Sequence, residues 1–351
     1  MMKQREFQIV VLPGDGIGPE VMTEGGKVLD AARALMPSCR FTLTEYPAGA
    51  GAYVTHGDPL PDTTFSACER ADAILLGAMG LPGVRWPDGR EMTPQIDLRE
   101  RLDLYAGIRP ILLFHPSHTP LKNLEALDML LVRENCEGLF WSRKNVPAVG
   151  AKLVDDVLHV SRRGAERVCR AAFREAQRRR NHVTLVDKAN VLPSMVFLRQ
   201  IFDEVALEFP EVKTDRVYVD AMALYLVQKP ERFDVLVTEN MFGDILSDLA
   251  AGLIGGMGMA PSADIGDKHA VFQPSHGTAP DIAGKGIANP TAMILSVALM
   301  LEWLGHAETV AAAEEIRRAV STVLGDPVNR TADLGGTLST TALGDAIAAR
   351  I

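Results

Sequence analysis

The chain predicts an α/β fold, with helices packed on a largely parallel sheet. Three observations carry that prediction. Short apolar, β-branched runs alternate with longer stretches of helical spacing, 351 residues suffice for a large core in two lobes, and no internal repeat points to a solenoid.

In chain order, "FQIVVLPGDG" (7–16) reads as a strand ending in a Gly turn, and "PEVMTEGGKVLDAARALM" (19–36) as the helix that follows. "ADAILLGAM" (71–79) is a second strand-like run. "HVTLVDKANVL" (182–192), "RVYVDAMALYLV" (216–227) and "FDVLVTEN" (233–240) are three more, separated by helical stretches. Residues 142–162 differ: strand-like alternation around a Pro/Gly turn predicts a hairpin or arm, and an isolated hairpin is marginal unless a partner subunit shares it. "ETVAAAEEIRRAVSTVL" (308–324) is an amphipathic surface helix.

Composition then excludes classes of function. A net charge of −9 leaves no chain-wide basic footprint for nucleic acid or an anionic membrane. The N-terminus runs directly into a strand, and no segment reaches the ~18 apolar residues of a membrane span. Cys39, Cys68, Cys136 and Cys169 show no metal-ligand spacing and read as reduced thiols, so the expected compartment is the cytoplasm.

Candidate chemistry lies in four places. "GDGIGPE" (14–20) tempts a dinucleotide-loop reading, but Pro19 stands where GxGxxG needs its third Gly, and Asp15 and Glu20 would repel a pyrophosphate. A tight strand-to-helix turn is the preferred reading, not a Rossmann fold. From Phe233 to Asp267 the chain carries Asp234, Glu239, Asp244, Asp248, Asp264 and Asp267 with no Lys or Arg. Asp244 and Asp248 share a helix face, where like charges repel; they read equally as a solvated acidic face or as oxygen ligands for Mg²⁺ or Mn²⁺. Asp187, Lys188, Asp220, Glu239 and Asn240 fall at strand ends, where ligands gather in α/β sheets. Arg99, Arg109 and Arg133 supply forks that match carboxylates, with Arg101 turned to the surface toward Asp97 or Asp103. "HGTAPDIAGKGIANP" (276–290) is a long loop without apolar periodicity, which points to function.

Taken together, "PGDGIGPEV", "LRERLDLYAGIRP", "RENCEGLF", "VDKANVL", "VDAMA", "NMFGDILSD", "HGTAPDIAGKGIANP" and the C-terminal "RTADLGG…STTALGDAI" resemble the β-decarboxylating dehydrogenases, the family of isopropylmalate, isocitrate, homoisocitrate, tartrate and D-malate dehydrogenases. The resemblance implies that family's two-lobed fold on a central, largely parallel mixed sheet. One lobe would comprise 1–104 plus 256–351 and bind cofactor. The other, 105–255, would hold substrate, metal and the dimer contact, with the arm at about 141–162. It implies that Arg99, Arg109 and Arg133 grip the carboxylates of a malate, and that Asp220, Asp244 and Asp248 bind Mg²⁺ or Mn²⁺. It implies a homodimer with shared active sites, in which Lys188 and Asp220 serve the neighbouring subunit. His276, Gly277, Asp281, Ile282 and Asn289 would hold the adenosine of NAD, because an anionic Asp281 accepts from a free ribose 2′-OH and repels a 2′-phosphate. The implied reaction is NAD- and metal-dependent oxidative decarboxylation of a (2R)-malate, 3-isopropylmalate first, with tartrate, D-malate or homoisocitrate as alternatives.

The sequence also departs from the family. Phe140 stands where the family carries a tyrosine that protonates the enolate, and Gly107 where it usually carries Asn. Met92, Gln95 and Ile96, in the segment that reads the C3 substituent, match no familiar pattern. A second expectation follows: an impaired paralogue that binds or regulates without turnover.

Overall fold

The computed structural model describes residues 4–148 and 150–351. Ten strands form one sheet: β1 (Arg5–Gly14), β2 (Cys39–Glu45), β3 (Ala73–Ala78), β4 (Ala106–Leu112), β5 (Asp128–Glu134), β6 (His182–Asp187), β7 (Lys213–Tyr218), β8 (Val235–Thr238), β9 (Pro261–Ile265) and β10 (Ala270–Pro274). Their order is β2-β1-β3-β10-β9-β4-β5-β8-β6-β7. β2, β1, β3 and β10 run parallel; β9 runs against β10, β4 against β9, and β5 against β4; β8, β6 and β7 then follow β5. Two parallel halves therefore point in opposite directions, joined by an antiparallel seam of β9, β4 and β5.

Central strands such as β3 and β8 are buried along their whole length because helices cover both faces. The largest hydrophobic core runs through both halves, and a smaller one, including Leu12, Phe65 and Ile74, lies under β1 and β3. Helix Thr291–Trp303 is apolar on every side and is wedged against β9, β10 and the helices Gly18–Ala32 and Ala307–Leu324. Among the described residues no helix is long and apolar enough to cross a membrane.

The "GDGIGPE" turn has an internal task. Asp15 is buried and accepts from the backbone N–H groups of Ala50, Gly51 and Gly80 at 2.7–2.8 Å. A carboxylate from the chain thus sits where the dinucleotide reading would place phosphate.

Three expectations need correction. The run 216–227 is not one strand: β7 ends at Tyr218, and Val219–Gln228 is a helix, as its Asp-Ala-Met-Ala-Leu composition favours. Asp220 therefore lies in a helix's first turn, not at a strand end. Residues 142–162 form no hairpin among those described; a single bridge pairs Gly138 with His159, and Val146, Leu153, Val154 and Val157 lie exposed. Alternation without a neighbouring strand gives the segment nothing to pair with. Val149 in that arm lies outside the described residues. Arg101 does turn to the surface, but it stacks 3.3 Å above the centre of the Phe65 ring near Asp62, because Asp97 is taken by Arg143 and Asp103 by Arg163 and Arg167.

Candidate active site

The antiparallel seam positions the arginines. On β4, Gly107 faces Arg133 of β5 on one side and Asp264 of β9 on the other, and Arg109 lies two residues along on the same face. Helix Pro94–Arg101 brings Gln95 and Arg99, and helix Asn240–Gly252 brings Asp244, Ser247 and Asp248. With Gln273, Ser275, His276 and Gly277, these residues line a cavity of about 170 Å³. That volume suits a small metabolite.

Arg133 is 2% exposed. Its Nε and Nη2 donate to Asn240 Oδ1 at 3.0 and 2.7 Å, and its Nη1 donates to Asp244. Gly243 makes that approach possible: a Cβ there would lie 2.8 Å from Arg133 Cβ. Burial lowers the Arg133 pKa to about 10 and draws that of Arg109 down as well. Arg109 Nε is buried without a partner among the described residues.

Glu239 caps helix Asn240–Gly252 by accepting from Met241 and Phe242 N–H. Asp244 and Asp248 follow one turn apart. Burial first, and then the charge of Asp244, raises the Asp248 carboxyl above its usual range. Arg133 relieves Asp244 only in part, and two neighbouring carboxylates whose repulsion still shows at Asp248 fit a divalent cation, as hard oxygen donors suit Mg²⁺ or Mn²⁺. Asp220 stands apart, 67% exposed by side chain, and accepts from Lys188 Nζ at 2.5 Å, which holds its carboxyl below the usual range. Neither residue lines the cavity.

The other expected residues divide similarly. Phe140 and Ile96 line a separate open cleft with Trp86, Arg90 and Arg143, although the guanidinium carbon of Arg133 lies 5.2 Å from the Phe140 ring centre. Met92 is buried and lines neither space. His276 and Gly277 reach the cavity rim. Nδ1 of His276 lies 2.9 Å from the Gly277 carbonyl, which can only accept, so Nε2 is left as a buried acceptor without a partner. Burial lowers the His276 pKa, which keeps that acceptor available. Asp281 is exposed, Ile282 packs against the core, and Asn289 donates to Asp333 at 3.0 Å and accepts from Thr291 N–H. The orphan nitrogen and the open rim fit an adenine-bearing cofactor at this loop.

Sequence reasoning missed Asn135 and Gln273, and placed Asp264 only in an acidic run, although Asn135 and Gln273 both donate to Asp264 beside the cavity. The available signal was a charged residue in the middle of the apolar strand "PSADI".

Comparison with known proteins adds an independent line. A family model described as isocitrate/isopropylmalate dehydrogenase matches residues 8–347. The chain is 43% identical over 335 residues to a 3-isopropylmalate dehydrogenase of Corynebacterium aurimucosum, covering 94% of this chain and 97% of that one. It is 41% identical over 362 residues to that of Escherichia coli K12, with 98% of each covered. Among solved structures, an isocitrate dehydrogenase of Methylococcus capsulatus superposes with a TM-score of 0.89 at 39% identity, over 98% of this chain and 99% of that one. A β-decarboxylating dehydrogenase of Thermococcus kodakarensis gives 0.81 at 37%, over 98% and 96%.

Proposed function

The chain belongs to the isocitrate/isopropylmalate dehydrogenase family, and is therefore an oxidoreductase acting on CH–OH; on that premise we propose that it oxidatively decarboxylates 3-isopropylmalate with NAD and a divalent metal in a homodimer. The observation that carries the reading is the cavity in which Arg99, Arg109 and Arg133 meet Asp244 and Asp248. Arginine forks match two carboxylates, and Asp248 with the second oxygen of Asp244 offers ligands to a cation.

When bound, the metal supplies Lewis-acid polarisation at the C2 oxygen, and NAD accepts the hydride. Asp244 and Asp248 would hold the metal with Asp220 of a second copy. His276, Gly277 and Asp281 would hold the adenosine, Asp281 favouring a free ribose 2′-OH. The arginines orient the malate and clamp the carboxylate that is retained. Lys188 of the second copy draws the C2 hydroxyl proton through water or a neighbouring acid. Phe140 has no proton to give, so the enolate carbon takes its proton from water or another acid.

Support for the dimer comes from the Lys188–Asp220 face. Tyr218, Leu224 and Val227 lie exposed around it, and Ile245 is exposed on the helix packed beside them. The test is NADH production from a panel of (2R)-malates with Mn²⁺. Preference for 3-isopropylmalate supports the reading, and preference for tartrate, D-malate or homoisocitrate replaces the substrate. Silence across the panel with saturable malate binding retained would establish the impaired paralogue instead.

A further inference from the structure

Asp264 is the member of the acidic run that lies deepest beside the arginines, and no step above uses it. It is 1% exposed at the seam. Its Oδ2 accepts from Arg99 Nε at 2.8 Å and Gln273 Nε2 at 2.7 Å, and its Oδ1 from Asn135 Nδ2 at 2.7 Å. Arg109 Nη2 stands 3.6 Å from Oδ1. Burial opposes its charge, but Arg99 and Arg109 outweigh burial and hold the carboxyl below its usual range.

Two consequences follow. Arg99 and Arg109 are anchored from behind, and the Nη atoms of Arg99 have no partner among the described residues, free to meet a ligand. The cavity's charge is also reset, because Asp244, Asp248 and Asp264 match Arg99, Arg109 and Arg133 one for one. A divalent cation then adds two positive charges, which two carboxylates neutralise. A third carboxylate would enter an enclosed site without compensation. Lys188 and Asp220 of a second copy bring opposite charges and leave the balance unchanged.

The same contact explains Gly107. A Cβ at that position would lie 2.8 Å from Asn135 Oδ1 and 2.9 Å from its Nδ2. A side chain at 107 would have to displace the tip of Asn135, which donates to Asp264.

We propose that Asp264 is a positioning and specificity residue, which fixes the Arg99 and Arg109 forks and sets the pocket to accept a dicarboxylate and reject a tricarboxylate. This rests on the dehydrogenase reading above. The experiment compares an alkylmalate with isocitrate, by calorimetric Kd and by kcat and KM with Mn²⁺ and NAD, in the parent, Asp264→Asn, and Asp264→Asn/Gln273→Glu. Asp264→Asn should shift the KM and Kd ratio toward the tricarboxylate by at least about tenfold, the scale of one charge-assisted contact. The double variant returns a carboxylate to the same contact and should restore the ratio. An unshifted ratio in folded Asp264→Asn, in an enzyme that binds alkylmalate, overturns this inference alone. A parent that binds neither acid overturns the dehydrogenase reading and this one with it. Should Asp264→Asn fail to fold, Gln273→Glu decides, since a second carboxylate beside the arginines must deepen rejection of isocitrate, and an unchanged ratio overturns the assignment.

Discussion

The arginine cavity and the Lys188–Asp220 face hold the same kinds of residue in opposite states. In the cavity the arginines are buried and answered within one chain: Arg133 by Asn240 and Asp244, Arg99 and Arg109 by Asp264. On the face, the Lys188–Asp220 pair lies toward the surface among exposed apolar side chains. Desolvated charges survive only with partners, so in the first region one copy of the chain suffices to hold the three arginines in place. The second is a surface that needs another copy to become a site.

The comparison breaks most visibly at Arg133. Replacing it with Leu leaves Asn240 without its donor and Asp244 without its cation, in the centre of the cavity. We expect kcat/KM to fall by about 10²–10³, and unfolding stability by about 3 kcal/mol. Asp244 is 48% exposed by side chain and can partly resolvate, which keeps the loss from being larger. Steady-state kinetics and urea denaturation check both; a loss below about 0.5 kcal/mol, the scale of a surface substitution, would show that the buried pairs do not interlock.

Complementation sharpens the second half of the contrast. Lys188→Ala and Asp244→Asn should each be inactive alone, because each removes one essential group from every site. If Lys188 acts across subunits, a mixed dimer contains one site with both groups native and one with neither. Co-refolding equal amounts should then restore about a quarter of parental activity, since half the dimers are mixed and each has one working site. Activity that stays at background would place Lys188 in its own subunit's site and dissolve the distinction between the two regions.

The legibility of the sequence follows the same division. Arg99, Arg109, Arg133, Asp244 and Asp248 were recognisable because their motifs are local: a helix turn, or one strand read residue by residue. Asp264 was visible only as an acid in an acidic run. Its meaning comes from lying on β9 across β4 from Arg133, a juxtaposition of strands far apart in the chain. The arm at 142–162 failed for the related reason that alternation specifies a face but not a partner strand. The sheet's two opposed halves were likewise out of reach, because alternating strand and helix patterns do not reveal where direction reverses. Asp220 was misplaced by the apolar continuity of "VYVDAMALYLV", which strand and helix share.

A pH experiment probes the interior beside Arg133. Glu134 accepts from Cys136 and Glu137 N–H at 2.9 and 2.7 Å, yet burial raises its pKa from 4.5 to about 7. Between those values the folded state holds a proton that the unfolded state has released. Stability should therefore fall as pH rises from 4.5 to 7 and flatten above, by up to about 3 kcal/mol from this group. Glu134→Gln carries no such proton, and it loses one accepted N–H bond at a cost of about 1 kcal/mol. The variant should be the less stable protein at pH 5 and close or reverse the gap at pH 8. Parallel denaturation profiles would assign the pH dependence elsewhere.

The smallest effect concerns the cleft where Phe140 stands, beside the cavity but outside its lining. Phe140→Tyr adds a phenol to a ring centred 5.2 Å from the Arg133 guanidinium carbon. A positioned general acid contributes about 10²–10⁴-fold when fully engaged. The parent already finds a proton from water or another acid and the ring faces an open cleft, so a gain of about tenfold in kcat is expected, with KM little changed. The solvent isotope effect supplies the argument that a rate alone lacks. If the new phenol donates the proton, the solvent isotope effect on kcat should fall in the variant, because protonation ceases to limit turnover. If kcat is unchanged and the isotope effect persists, the proton comes from a group the parent already holds. The buried, raised Glu134 then becomes the acid to substitute next.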